Sequence, residues 1–180
     1  LDEGLEAINV LFNEKWASYR GEYYHFENVA MFPKPLQNPF PIFISGERGA
    51  VFERIARWGS GFFVTPNLEL MQNKIETLKP YLERYNRTIT DVEVTTITSL
   101  SIAKTHAEAV ERWERSRISE RYRQQGVKQA GELNFMGTPD EVTQKIMRLE
   151  EEGLRHCGLQ RFAASSHSEI TEQIQMMGEE

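Results

Sequence analysis

A single cysteine, Cys157, is all the thiol chemistry that 180 residues carry. One thiol forms no intrachain disulfide and builds no thiolate metal cluster. Long apolar runs are missing too. No stretch approaches the roughly 18 residues that a membrane span needs, and the opening residues do not read as a signal peptide. There is no basic excess either: 21 Lys and Arg stand against 27 Asp and Glu, a formal charge of -6. A protein built to hold a nucleic-acid backbone has the opposite balance. Only 7 prolines and 12 glycines occur, beside 39% hydrophobic and 27% charged residues, which excludes collagen, a mucin-like stalk and a wholly disordered tail. The histidines His25, His106, His156 and His167 lack His-Glu-x-x-His spacing, so no metal site is expected. Gly-x-Gly-x-x-Gly and the Gly-x-x-x-x-Gly-Lys-Ser/Thr phosphate loop are both absent. No serine–histidine–acid set and no hydrolytic carboxylate pair stands out. A reducing, cytoplasmic setting with neither membrane nor nucleic-acid partner is the expectation.

What is present is periodic. Leu5, Ile8, Leu11 and Phe12 line one face of a helix over residues 2–13. Residues 14–41 form an aromatic and proline-rich excursion. Gly21 offers a turn within Tyr19 to Phe26, suited to an irregular hairpin or packed loop, and four prolines fall within Phe32 to Pro41. Ile42-Phe43-Ile44-Ser45, ending at Gly46, reads as a strand buried on both faces. Glu47 to Trp58 follows as a helix stopped by Gly59. Phe62-Phe63-Val64 is a second short strand, with Thr65 expected to cap a helix starting at Pro66 and kinked at Pro80.

Val92 to Ile102, rich in valine, isoleucine and threonine, reads as the longest strand. Thr105-x-x-Glu108 and Thr138-Pro139-Asp140-Glu141 are capping boxes that each open a helix. Residues 118–137 between them read as mobile loop with helical turns. Cys157, Leu159 and Phe162 form a last strand starting at His156, and a short helix from Ser168 closes the chain. Strand–helix thus repeats four times, from Ile42, Phe62, Val92 and His156. Right-handed crossovers make such strands parallel, as a small open sheet or as half of an eight-stranded barrel.

Four phrases, in order, resemble the bacterial luciferase-like superfamily of flavin- or deazaflavin-dependent oxidoreductases. They are Leu1 to Glu6 with Gly21 to Phe26, Pro33 to Gly46, Ile55 to Phe63, and Gly137 to Val142 running on to Glu152-Gly153-Leu154. The resemblance covers nearly the whole chain and implies the C-terminal half, strands five to eight, of a (β/α)8 TIM barrel. With Leu1 rather than methionine at the start, the chain reads as a piece of something longer. The implied activity is that of a monooxygenase using reduced FMN to oxidise a small organic substrate. The alternatives are an F420-dependent hydride-transfer oxidoreductase of the same fold and a non-catalytic half barrel that self-assembles. A flavin reductase supplying reduced flavin and a homodimer are the implied partners.

In barrel enzymes the working groups sit at the C-terminal ends of strands. That rule picks Ser45 to Arg48, Thr65, Ser99, Ser101 and Gln160 to Phe162, and with the resemblance it implies the turn Ser45-Gly46-Glu47-Arg48-Gly49 and Arg161 as cofactor-binding residues. Gly46 and Gly49 let backbone N–H groups approach an anion, the following helix adds a favourable field, and Arg48 offers a charged fork to a phosphate. Glu47 would repel a phosphate unless it caps backbone donors or pairs with Arg48. Acid–base residues are unassigned, and Cys157 is expected to be a buried small hydrophobe.

Overall fold

The computed structural model describes residues 1–128 and 130–178. Helix α1 (Asp2–Asn13) is followed by strands β1 (Ala17–Arg20) and β2 (His25–Val29), which pair antiparallel as a separate two-stranded sheet. The main body then runs β3 (Phe43–Ile44), α2 (Gly49–Trp58), β4 (Gly61–Val64), α3 (Leu68–Glu83), a 3-10 turn (Ile89–Asp91) and β5 (Glu93–Ile102). It continues with α4 (His106–Glu114), α5 (Arg117–Gln124), β6 (Phe135–Gly137), α6 (Pro139–Glu151), β7 (Leu154–Phe162) and α7 (His167–Met177).

The expectation of a four-stranded C-terminal half barrel is corrected here. Seven strands and seven α-helices run through the described residues from Asp2 to Met177, a (β/α)-type fold spanning the whole chain rather than half of one. Five strands form one sheet in which β3, β4, β5 and β6 are successive parallel neighbours and β7 pairs along the length of β5, also parallel. Strands β1 and β2 take the hairpin form expected around Gly21, outside the four-strand count, and β6 was missed because three residues are too few for a period-two pattern.

Alternation along the strands decides which face is covered. Phe62 and Val64 of β4, with Val94, Leu100 and Ile102 of β5, face the helices and join Ile55, Met71, Leu78, Leu82 and Leu149 in the core. A smaller cluster centres on Trp113 with Ala130 and Ala163, and Tyr122 stacks on the indole at 6.0 Å. Helix α1 is tied to α2 by the bidentate Arg54–Asp2 pair at 2.6 and 2.9 Å and by Arg57–Glu6 at 2.9 Å.

The capping boxes at Thr105 and Thr138 form as their sequences require, each hydroxyl accepting from the third helical N–H. Helix α3 instead begins at Leu68, capped by Asn67 rather than Thr65, and continues through Pro80. The stretch read as loop over 118–137 holds most of α5, capped by Ser116, and strand β6, while Gln129 lies outside the described residues.

Candidate functional site

Parallel pairing brings the C-terminal ends of β3, β4, β5 and β7 to one side of the sheet. Ile44 lies opposite Phe62 and Phe62 opposite Val94; after a register shift past Val94, Thr96 lies opposite Cys157. The turn after β3 therefore opens at the level of Val64, Thr96 and Cys157. Gly46 has φ +139, a region side chains rarely adopt, and a Cβ there would stand 2.8 Å from Cγ2 of Val51. Glycine is thus demanded twice, by backbone conformation and by close approach of the helix behind it.

Arg48 occupies the N-cap of α2 with extended backbone (φ -100, ψ 154), and no side chain caps the helix. Val51 N–H reaches the Arg48 carbonyl at 2.7 Å. The preceding N–H groups, at Gly49 and Ala50, lead the positive end of a ten-residue helix. By contrast α3, α4, α5, α6 and α7 each carry a side-chain cap, on Asn67, Thr105, Ser116, Thr138 and Ser166. Ser45, Glu47, Arg48 and Gly49 are exposed.

Beneath the turn lies Lys74 of α3, only 6% exposed. Its ammonium donates to the Gly46 carbonyl, the Phe63 carbonyl and Glu47 Oε1, each at 2.8 Å. Glu47 therefore pairs with Lys74, not with Arg48, through Oε1, while its side chain stays largely exposed. Lys74 was not selected from sequence, although a signal existed: it falls among Met71, Ile75 and Leu78 on the buried stripe of its helix.

The sheet face away from the helices carries Phe43, Phe63 and Ile97. The two phenyl rings lie 6.2 Å apart and tilted by 53°. Ile97 stays 47% exposed in the middle of an otherwise buried strand. Gly61 makes room for Phe43, since a Cβ there would meet its ring at 2.4 Å. An apolar, accessible strip thus runs beside the Gly46 turn.

Arg161 does not join the turn. It lies opposite Ser99, three residues beyond the level of Gly46 and three strands across, about 10 Å along and 14 Å over at ordinary strand spacing. It lines a small cleft of about 120 Å³ with Arg121, Tyr122 and Gln125. Its Nε and the neighbouring Ser99 hydroxyl are buried without a hydrogen-bond partner among the described residues. Asn134, also missed from sequence, braces this end of β5 by accepting from Thr98 Oγ1 at 3.1 Å and Ser99 N–H at 2.9 Å.

Two larger clefts open toward the opposite ends of the strands. The first, about 910 Å³, gathers Glu76, Asp91, Glu93 and Glu152 around Lys79 and Arg155. Those carboxylates oppose a phosphate, so its size does not make it the better anion site. The second, about 520 Å³, lies between Phe12, Phe40 and Trp58. Cys157 is partly buried, and burial pushes its thiol up from the ordinary value, away from reactivity. His106 pairs with Glu141 at 2.9 Å and His156 with Glu93 at 3.4 Å. No group of three or more His, Cys, Asp or Glu is arranged to hold a metal among the described residues. No helix among them is long and apolar enough to cross a membrane.

Comparison with known proteins identifies the family. The model of the family described as luciferase-like monooxygenase matches residues 1–175. An F420-dependent glucose-6-phosphate dehydrogenase from Amycolatopsis mediterranei is 28% identical over 114 residues, 62% of this chain and 34% of that protein. Among solved structures, the monooxygenase RslO1 from Streptomyces bottropensis superposes with TM-score 0.76 at 23% identity, over 99% of this chain and 58% of that one. The coenzyme F420 dependent tetrahydromethanopterin reductase from Methanopyrus kandleri gives TM-score 0.70 at 17% identity, over 99% and 61%. The chain thus spans about a third of the curated relative's length and about three fifths of these two structures. With the family model covering all but the last five residues, the chain belongs to the luciferase-like monooxygenase family.

Proposed function

We propose that this chain is part of a flavin-dependent monooxygenase in which the Ser45–Gly49 turn holds the phosphate of FMN. The observation that carries the reading is the uncapped N-terminus of α2, set behind the Gly46 turn at the C-terminal side of a parallel sheet. The donor set suits a phosphate. Backbone N–H groups at the turn give directional bonds, Arg48 adds a charged fork, and the helix end adds a favourable field. Glu47, held by Lys74, contributes its backbone rather than its carboxylate.

The apolar strip of Phe43, Phe63 and Ile97 offers a surface for a flat ring and keeps water from one side of it. Bound reduced flavin supplies the electrons for oxygen activation, and the protein's share is anchoring, orientation and exclusion of solvent. Arg161 lies too far from the turn to share its phosphate and serves the other end of an extended ligand. A small organic substrate, a reductase delivering reduced flavin and a second copy of the protein complete this reading.

A second reading, F420-dependent hydride transfer, is favoured by the names of the curated relatives, both F420-dependent glucose-6-phosphate dehydrogenases. Titration with FMN and with F420, followed by cofactor fluorescence, separates the two. FMN binding with oxygen consumption supports the first, and oxygen-independent reduction through F420 supports the second. Arg48→Ala is expected to weaken the bound cofactor three- to tenfold, an effect that shrinks in high salt. Failure to bind either cofactor overturns both readings.

A further inference from the structure

The geometry points to Lys74 as the residue that positions the phosphate-binding turn. This rests on the proposed cofactor reading. Lys74 is a positioning residue because it has no donor left for a ligand: its three N–H bonds go to Gly46 O, Phe63 O and Glu47 Oε1, each at 2.8 Å.

The location explains the need. Strands β3 and β4 pair only at Phe43–Gly61 and Ile44–Phe62. Past that point the β3–β4 pairing stops, and the carbonyls of Gly46 and Phe63 both accept from Lys74. Lys74 thus bridges the gap between the strands. Fixing the Gly46 carbonyl has a second consequence. In a trans peptide the C=O and the next N–H point in opposite directions. Turning Gly46 C=O inward toward Lys74 therefore turns Glu47 N–H outward, to the side where an anion would meet the α2 terminus.

The third bond deals with charge. Glu47 is the one carboxylate within the Ser45–Gly49 turn. Released, it would stand among the same donors and repel a phosphate. Lys74 binds one of its oxygens and offsets its charge, while the side chain stays 73% exposed. One buried ammonium thus orders the backbone donors and offsets the charge of the competing acceptor.

The test uses the full chain and compares FMN with riboflavin, which has the ring but not the phosphate. Lys74→Met is expected to lower FMN affinity at least tenfold while changing riboflavin affinity less than twofold, so that the preference for FMN collapses. Amide exchange at Val51, whose N–H is bonded to the Arg48 carbonyl at 2.7 Å, rises in the same variant without ligand. Adding Glu47→Gln to Lys74→Met restores part of the lost FMN affinity, because the freed carboxylate is gone. Equal losses for FMN and riboflavin, or a stability loss with the FMN preference intact, overturn the proposal.

Glu47→Gln alone changes an exposed side chain and keeps the test open if Lys74→Met does not fold. Its FMN affinity is expected to match or exceed wild type, and a weakened one overturns the proposal. If the wild-type protein binds neither FMN nor F420, the cofactor reading fails, and amide exchange still decides whether Lys74 orders the turn.

Discussion

The carboxylate of Glu3 accepts a hydrogen bond from the backbone N–H of Tyr24 at 2.6 Å, across 21 residues of sequence. It accepts two more, from Tyr23 at 2.8 Å and Glu22 at 3.0 Å, so one side chain of α1 gathers the whole β1–β2 turn. Gly21 is what lets it in: a Cβ there would stand 2.1 Å from the same carboxylate. Partial desolvation pushes the Glu3 pKa up, but the Tyr24, Tyr23 and Glu22 donors outweigh it and hold the group below the ordinary glutamate range. A folded pKa below the unfolded one gives stabilisation that is complete at neutral pH and lost as pH falls through the folded value. Glu3→Gln is expected to lower amide-exchange protection, relative to the intrinsic rate at each pH, at residues 22–24 at pH 7, with little further loss on acidification. Wild type falls to the same protection only below the usual glutamate range.

Gly46→Ala combines an unfavourable φ with a 2.8 Å clash against Val51. The backbone term alone costs about 1–2 kcal/mol. Gly126, at φ +70 with nothing near its Cβ position, is the control for backbone strain without the clash. Urea denaturation is expected to show a larger loss for Gly46→Ala than for Gly126→Ala. Only the former should lose cofactor binding.

Adjacent phenylalanines separate the two faces of β4. Phe62 is fully buried among the helices, while Phe63 lies on the accessible strip. Phe62→Ala is expected to cost about 3–5 kcal/mol in chemical denaturation. Phe63→Ala should cost clearly less in stability and more in cofactor affinity. Equal stability losses would show that the assignment of faces is wrong.

Cys157 gives a chemical check on β7. Its thiol is pushed up by burial, so alkylation by iodoacetamide at pH 8 is expected to run at least tenfold slower in the folded protein than in urea. A rate equal to that of the unfolded chain would place the thiol at the surface.

The elements legible from sequence were those with local causes. The Val92 to Ile102 run shows β-branched composition, and the helices at Thr105 and Thr138 announce themselves by hydroxyl and glutamate three apart. The Gly46 turn was legible as a strand–glycine–helix junction. The end of β3 was not, because two paired residues carry no period. Nor was β6, whose three residues are held by β5 at Leu100 to Ile102. The cap of α3 went to Asn67 because its carbonyl oxygen reaches Leu70 N–H at 3.1 Å, two residues beyond the hydroxyl that sequence favoured.

Sequence by itself determined the alternation of parallel strands and helices, the caps, and the glycine that makes an anion-accepting turn credible, since all of these follow from neighbours within a few residues. Tertiary structure alone decided that Arg161 stands apart from that turn, that Glu47 faces Lys74 rather than Arg48, and that Glu3 closes a hairpin 20 residues away. Those outcomes depend on strand register and on which helix packs beneath which loop. Both are set by burial of the whole sheet, and no local pattern encodes them.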